Sequence, residues 1–312
     1  MIISASRRTD IPSFYSEWFF NRLREGYVYV RNPMNPRQVS QIDLSPEVVD
    51  GIVFWTKNPI PMLDRLGELR EYMYYFQFTL TSYGADVERS LPSKRGVLIP
   101  AFQRLSDAIG PDRVIWRYDP IFLNDTYTMD YHIRAFETMA QRLAPYTRKC
   151  TISFLDYYDK TRRNIAPLSP HPFPAEQQNQ LAGTIADIAH SHGLRVDTCA
   201  EAIDLERYGI EHAQCIDARL FEQLLNCPLE FRKDKNQRSE CGCMEALDVG
   251  AYNTCRNGCR YCYANFSENV VAAQSRRHDP RSPLLVGEIG PEDKITPRKM
   301  ASCRMDQMRF DL

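Results

Sequence analysis

Residues 247–274 read LDVGAYNTCRNGCRYCYANFSENVVAAQ, and three features follow one another along them. Leu247 to Tyr252 is a short apolar and aromatic run of strand type. Ala264 to Gln274 has helical character. Between the two, Thr254 to Asn265 sets Cys255, Cys259 and Cys262 in C-x3-C-x2-C spacing. A strand, a cysteine loop and a helix make one βα unit, so this C-terminal stretch is expected to belong to an α/β sheet.

The rest of the chain repeats that alternation. Strand-type runs occur at Ile2 to Ser6, Gly51 to Thr56, Tyr74 to Thr81, Arg113 to Asp119, Cys150 to Asp156 and Leu194 to Cys199. Segments of helical periodicity lie between them, such as Tyr15, Trp18, Phe19 and Leu23 ahead of Gly26, or Ile133, Phe136, Met139, Ala140 and Leu143. Alternation of this kind implies right-handed βαβ units and a parallel sheet. Tyr27 to Arg31 and Gln38 to Asp43, joined by Asn32-Pro33-Met34-Asn35-Pro36, predict a hairpin inserted near residues 27–43. We divide the chain at about 225: residues 1–225 hold the main βα repeats, and 226–312 form a cysteine-rich segment that completes the same sheet, with a tail of little periodicity.

Length and composition narrow the class of function. The chain has 312 residues, 39 basic against 40 acidic side chains, 43% apolar residues and ten cysteines. A net charge of −1 gives no general attraction to nucleic acid or to an anionic membrane. No apolar run approaches the ~18 residues that span a bilayer, and the arginines of MIISASRRTD follow its apolar stretch, the reverse of a signal peptide. A cytoplasmic location is expected. Ten thiols in a reducing compartment point to metal or redox chemistry rather than to disulfides.

The spacing of three of them suits one chemistry. A short loop can aim three thiolates at three irons of a [4Fe–4S] cubane, whereas ordinary electron-transfer clusters use four cysteines. The fourth iron then stays open. An open iron can chelate S-adenosylmethionine, and one electron from the cluster can break its sulfonium bond to give a 5'-deoxyadenosyl radical. Gly258 permits tight wrapping of the loop. Tyr261 and Tyr263, flanking the last cysteine, offer aromatic faces for an adenine, or pack simply as part of the fold.

TCRNGCRYCYAN resembles the cluster loop of the radical S-adenosylmethionine superfamily, and its YCYAN ending is similar to the spore photoproduct lyase-like branch. Over nearly the whole chain the sequence resembles the bacterial DUF1848 family, through SASRRTDIP at the start, FWTKNP at 54–59, and DKNQRSECGC followed by GAYNTCRNGCRYCYAN. The superfamily resemblance implies a partial (β/α) TIM-like barrel with the cysteine loop after its first strand. Here that loop lies after about 250 residues, so the expected fold is a circularly permuted barrel, with Leu247 to Tyr252 as first strand and Ile2 to Ser6 as second. SASRRTD then takes the position of the second-strand Ser-Thr-x-Thr-Asp segment of the lyase-like branch. Chain order within a barrel can change because neighbouring strands define the core.

The other cysteines divide. Cys241 and Cys243 form a C-x-C pair, and Cys199 and Cys215 flank the last predicted strand-to-helix connection. These four fit an auxiliary [4Fe–4S] cluster, a structural zinc, or unligated thiols. Cys150 reads as a small buried apolar residue. Cys227 and Cys303 have no partners at ligand spacing.

Chemistry in such barrels sits at the carboxyl ends of strands. There the sequence places Arg7 and Asp10, Lys57, and Arg117 with Asp119 as candidate catalytic groups, and Thr79 and Ser153 as candidate contacts to the cofactor. Each pair of charges also reads as a partner for its neighbours. The expected function is a radical enzyme on a substrate, small or macromolecular, that the sequence does not identify, with an external electron donor of flavodoxin or ferredoxin type and no membrane partner. A non-catalytic zinc- or iron–sulfur-binding module and a nucleic-acid repair enzyme of the lyase-like branch remain as rivals, the second disfavoured by the near-zero charge.

Overall fold

The computed structural model describes residues 1–305. Among these residues eleven strands follow in chain order: β1 (Ile2–Ala5), β2 (Tyr27–Arg31), β3 (Gln38–Asp43), β4 (Gly51–Thr56), β5 (Tyr74–Thr79), β6 (Val114–Ile121), β7 (Lys149–Phe154), β8 (Arg195–Thr198), β9 (Glu211–His212), β10 (Leu247–Asp248) and β11 (Lys294–Pro297). Eight of them form one sheet in the order β10-β1-β4-β5-β6-β7-β8-β9. Every pairing is parallel. The protein is thus of α/β class. The sheet is open: among the described residues its edge strands β10 and β9, two residues each, are not paired with one another, and no closed barrel forms.

Strands buried on both faces explain the near-continuous apolar runs. On one face Ile3, Ile52, Phe54, Phe76, Phe78, Trp116 and Ile152 pack against helices Ser16–Glu25, Ile99–Ile109, Met129–Leu143 and Ala175–Ser191 in a single core. Trp116 stacks on Phe136 with ring centroids 4.8 Å apart and donates its indole N–H to the Leu80 carbonyl at 2.9 Å. A large ring buried with its polar atom satisfied contributes roughly 2–3 kcal/mol.

The opposite face carries a second, smaller core. Ile2, Val53, Tyr75 and Ile115 meet Phe221 of helix Ala218–Leu225 together with Ala213, Ile216, Leu229 and Met244. Position 51 must be glycine for this contact, since a Cβ there would stand 2.1 Å from the Phe221 ring. Toward the carboxyl ends of the strands this face turns polar, with Gln77, Arg117, Thr151 and Asp197 all buried.

Three expectations need correcting. The strand expected over 247–252 stops at Asp248, because that side chain accepts from its own chain at Gly250 N (3.0 Å) and curls the backbone out of the sheet. The helix expected from Ala264 begins instead at Glu268, where Ser267 caps it by accepting from Val270 N. The tail is not without structure: β11 pairs in parallel with β3 of the 27–43 hairpin, making a three-stranded sheet β11-β3-β2. Polar β11 lacks the alternation that marks a half-buried strand, for all four of its residues are exposed.

Candidate functional site

β10 lies beside β1, with Ile3 opposite Leu247 and Ser4 opposite Asp248, and this pairing brings residues from opposite ends of the chain together. The Asp248 carboxylate fastens the join, accepting from Ser4 Oγ at 3.0 Å, Ser6 Oγ at 2.6 Å and Arg7 N at 2.7 Å. The cysteine loop that follows is closed at its base by Asn253 N to Ala264 O, 3.0 Å, and Asn265 Nδ2 donates to Cys255 O at 2.7 Å. Within it Gly258 adopts φ +67°, and a Cβ there would meet Arg89 Cβ and Ser90 Oγ, each at 3.3 Å. Only glycine suits that combination.

Three loops meet at Asp10. Its carboxylate caps the short helix Ile11–Phe14 by accepting from Ser13 N (3.0 Å), and it accepts from Thr56 Oγ1 (2.7 Å) and Lys57 N (2.8 Å) after β4 and from Asn257 Nδ2 (2.9 Å) in the cysteine loop. SASRRTDIP, FWTKNP and TCRNGC are therefore tied by one buried side chain. Burial pushes its carboxyl up from the usual range, while the hydrogen bonds from Lys57, Thr56 and Asn257 oppose the rise. With these four contacts Asp10 acts as an organiser of the loops.

A fourth loop, residues 84–91, runs against the cysteine loop. Glu88 bridges Cys259 in antiparallel fashion, Arg260 N donates to Val87 O at 3.0 Å, and Ser90 N donates to Asn257 O at 3.2 Å. Glu88 is almost wholly buried. One carboxylate oxygen accepts from Lys57 Nζ (2.8 Å) and Tyr261 Oη, the other from Thr81 Oγ1 (3.0 Å) and Lys94 Nζ. Lys57 also donates to Tyr261 Oη at 2.7 Å. Burial alone would raise the Glu88 carboxyl, but the two ammonium groups outweigh it and hold it down at about 2. Two cations share one anion, which leaves one net positive charge beside Cys259.

The three thiols occupy one partly exposed loop. Desolvation pushes the Cys259 thiol up to about 12, Glu88 and Cys262 adding to the rise and Lys57 opposing it. Desolvation also raises the Cys255 thiol, and the charges of Asp10, Cys262 and Cys259 raise it further. The three sulfurs thus feel one another. Among the described residues no group of three or more His, Cys, Asp and Glu donors is arranged to hold a metal ion as it stands.

The remaining candidates fall in different places. Tyr261 packs with Tyr83, Val87, Phe122 and Tyr127 in a separate apolar cluster, so its ring reads as core. Tyr263 is 48% exposed and donates to the Arg7 carbonyl at 2.6 Å, leaving its face open at the loop. The Arg7 guanidinium reaches Asp234 at 3.3 Å. Arg117 and Asp119 pair with each other, and Arg117 Nη1 also donates to Gln77 Oε1 (3.2 Å) and to Cys215 Sγ (2.9 Å). Its Nε and Nη2 hold Asp119, and Nη1 is directed at the other cysteine group rather than at the loop. Thr79 and Ser153 stand partly exposed on β5 and β7.

The second group comes together from three segments. Cys199 follows β8, Cys215 follows β9, and Cys241 and Cys243 come from the C-x-C turn; Cys199 Sγ and Cys215 Sγ are 3.4 Å apart. Cys215 also contacts Cys243, and Cys243 contacts Cys241. Beside the C-x-C turn Arg238 pairs with Asp156, and Lys233 donates to Ser239 O at 2.6 Å. Glu88, Lys94 and Asn257 were not singled out from the sequence. Nothing in SYGADVERS distinguishes Glu88 from a surface carboxylate until the loop folds against Cys259.

An open parallel sheet, with polar loops and an exposed cysteine loop at the carboxyl ends of its strands, defines an α/β protein of the kind that binds ligands at that edge. The chain belongs to the DUF1848 family, described as a domain of unknown function, whose pattern matches residues 2–264. No curated protein matches it. Among the described residues no helix is long and apolar enough to cross a membrane.

Proposed function

We propose that this protein is a radical S-adenosylmethionine enzyme on a circularly permuted partial (β/α) barrel, with a [4Fe–4S] cluster held by Cys255, Cys259 and Cys262. The observation that carries the reading is the position of the three thiols. They share one partly exposed loop directly after β10, the edge strand that precedes β1 in the sheet order. Read from β10, that order is the βα series in which the loop after the first strand carries the cluster.

The donor set suits the group. Three soft sulfurs leave one iron for a ligand other than protein. The buried Thr9 Oγ1 and Asn265 Oδ1, on the loops that flank the thiols, have no hydrogen-bond partner among the described residues, as expected of polar atoms meant for a ligand. A cluster bound there would supply a chelating iron and the one electron that reductively cleaves the sulfonium bond of S-adenosylmethionine to methionine and a 5'-deoxyadenosyl radical.

The chain's own residues do the positioning. Asp10 fixes the cysteine loop against the loops after β1 and β4. Lys57 and Lys94, sharing Glu88, place net positive charge beside Cys259 and favour its thiolate. Tyr263 presents an open aromatic face beside Cys262, where an adenine can stack. Thr79 and Ser153 offer hydroxyls on neighbouring strands. An external donor of flavodoxin or ferredoxin type delivers the electron.

Anaerobic reconstitution followed by assay of 5'-deoxyadenosine tests the reading. The intact protein is expected to form it only with reductant, and Cys259→Ala to fall to the reagent background. Equal product from the variant would overturn the site, and stoichiometric zinc without iron or sulfide would overturn the reaction class.

A further inference from the structure

We infer that Cys199, Cys215, Cys241 and Cys243 form a second metal centre, a four-thiolate site for a soft metal, on the sheet face opposite the packed helices. It goes beyond the reading above, for none of its ligands lies in the loop of Cys255.

Convergence is the first observation. Four thiols from three separate segments run in continuous contact, Cys199 to Cys215 to Cys243 to Cys241. Cys215, Cys241 and Cys243 are buried, and none of the four is in a disulfide. Chain geometry maintains the gathering: Cys241 N donates to Arg238 O at 3.0 Å, Asp234 N donates to Cys243 O at 2.9 Å, and Tyr75 Oη and Gln77 Nε2 donate to Cys215 O at 2.7 and 2.8 Å. The 3.4 Å between Cys199 and Cys215 sulfurs is close to the ~4 Å between two sulfurs on one tetrahedral ion with metal–sulfur bonds near 2.3 Å.

The second observation concerns the donors aimed at those sulfurs. Arg117, only 4% exposed, points Nη1 at Cys215 Sγ from 2.9 Å, and the Ile216 N–H points at Cys243 Sγ from 3.4 Å. Asp119 already pairs with the rest of the Arg117 guanidinium, and a neutral thiol is a weak acceptor for the Nη1 arm. A metal-bound thiolate is a strong one, and four thiolates on a soft dication carry net negative charge toward which Nη1, the arm of Arg117 not held by Asp119, donates. Binding replaces four thiol protons, which leave to solvent. The 3.4 Å sulfur separation fits a single tetrahedral ion; an iron–sulfur core binds each thiolate to a different iron and takes the same four ligands with the sulfurs spread further apart.

The test removes the first site. A variant with Cys255, Cys259 and Cys262 all changed to Ala, purified anaerobically, is expected to retain one centre per chain: either iron with an equal amount of sulfide and its charge-transfer absorption, or one zinc that cobalt can replace with a thiolate-to-cobalt band. Adding Cys215→Ala should bring the number of centres per chain from near one to near zero. Cys241→Ser serves the same purpose if that variant does not fold. Absence of stoichiometric metal from the triple variant, full retention after loss of Cys215 or Cys241, or a Cys199–Cys215 disulfide in the freshly purified chain would each overturn the site. Because the loop cysteines are gone, these results do not depend on the radical chemistry.

Discussion

The two cysteine groups solve one problem in opposite ways. Cys255, Cys259 and Cys262 lie within eight residues of chain, partly exposed, and the rest of the protein comes to them: Asp10 from after β1, Lys57 from after β4, Glu88 and Lys94 from beyond β5. Cys199, Cys215, Cys241 and Cys243 are separated by up to 44 positions (243 − 199) and mostly buried, and only the packed sheet face brings them into contact. A local group can be presented at an edge for chemistry. A dispersed group requires the fold to be complete first.

That contrast can be broken at the ion network. Glu88→Ala leaves Lys57 and Lys94 buried without their shared anion, and removal of one partner of a buried pair costs about 3–5 kcal/mol. Urea unfolding should show that loss. A variant within ~0.5 kcal/mol of the parent would show the loop group to be held by its backbone alone.

Asp10→Ala should cost about 3 kcal/mol, since several buried donors lose their acceptor, and it should loosen the cysteine loop while sparing the four-thiol group. Amide exchange measures both at once: faster exchange at Asn257 and Lys57 with unchanged exchange at Ile216 supports the division, and equal loosening of the two regions breaks it.

A pH effect separate from both groups should come from His132. His132 is fully buried, with Nε2–H donating to the Phe122 carbonyl at 3.0 Å and Nδ1 accepting from Tyr118 Oη at 2.9 Å, so it is neutral in the fold. Tyr83, Tyr118 and Tyr131 surround its ring. Burial lowers its pKa from 6.5 to about 4. Between those values the unfolded chain binds the proton and the folded one does not, so stability is complete above pH 6.5 and falls as the pH drops to about 4, by roughly 3 kcal/mol. His132→Gln should flatten that part of the profile.

The smallest effect is expected at the rim. Arg89 and Glu268 form an exposed ion pair between the 84–91 loop and helix Glu268–Ser275. Arg89→Ala should change stability by less than about 1 kcal/mol and lose even that in high salt. A larger loss would mean that the loop group depends on its rim as well as on Glu88.

Much of the fold was legible because its signals are local. Apolar runs at 51, 74, 113, 150 and 194 each specify a strand buried on both faces, and β2 with β3 declares itself by two strand-type runs around a proline turn. What failed was also local in cause: Asp248 and Ser267 use their own side chains to end β10 and to start the helix at Glu268, and such hydrogen bonds override a pattern of apolar residues. β11 carried no pattern at all, since an exposed polar edge strand takes its structure from its partner β3.

The sequence by itself determined the βα order, the three-thiol loop and the glycine at 258 that the loop requires, because each depends on residues a few positions apart. Only the tertiary structure decided that Asp10 joins three loops, that Glu88 lies between two lysines beside Cys259, and that Arg117 points at Cys215. Those contacts link positions up to 247 residues apart. Their partners are chosen by the strand register of the parallel sheet, which no short stretch of chain encodes.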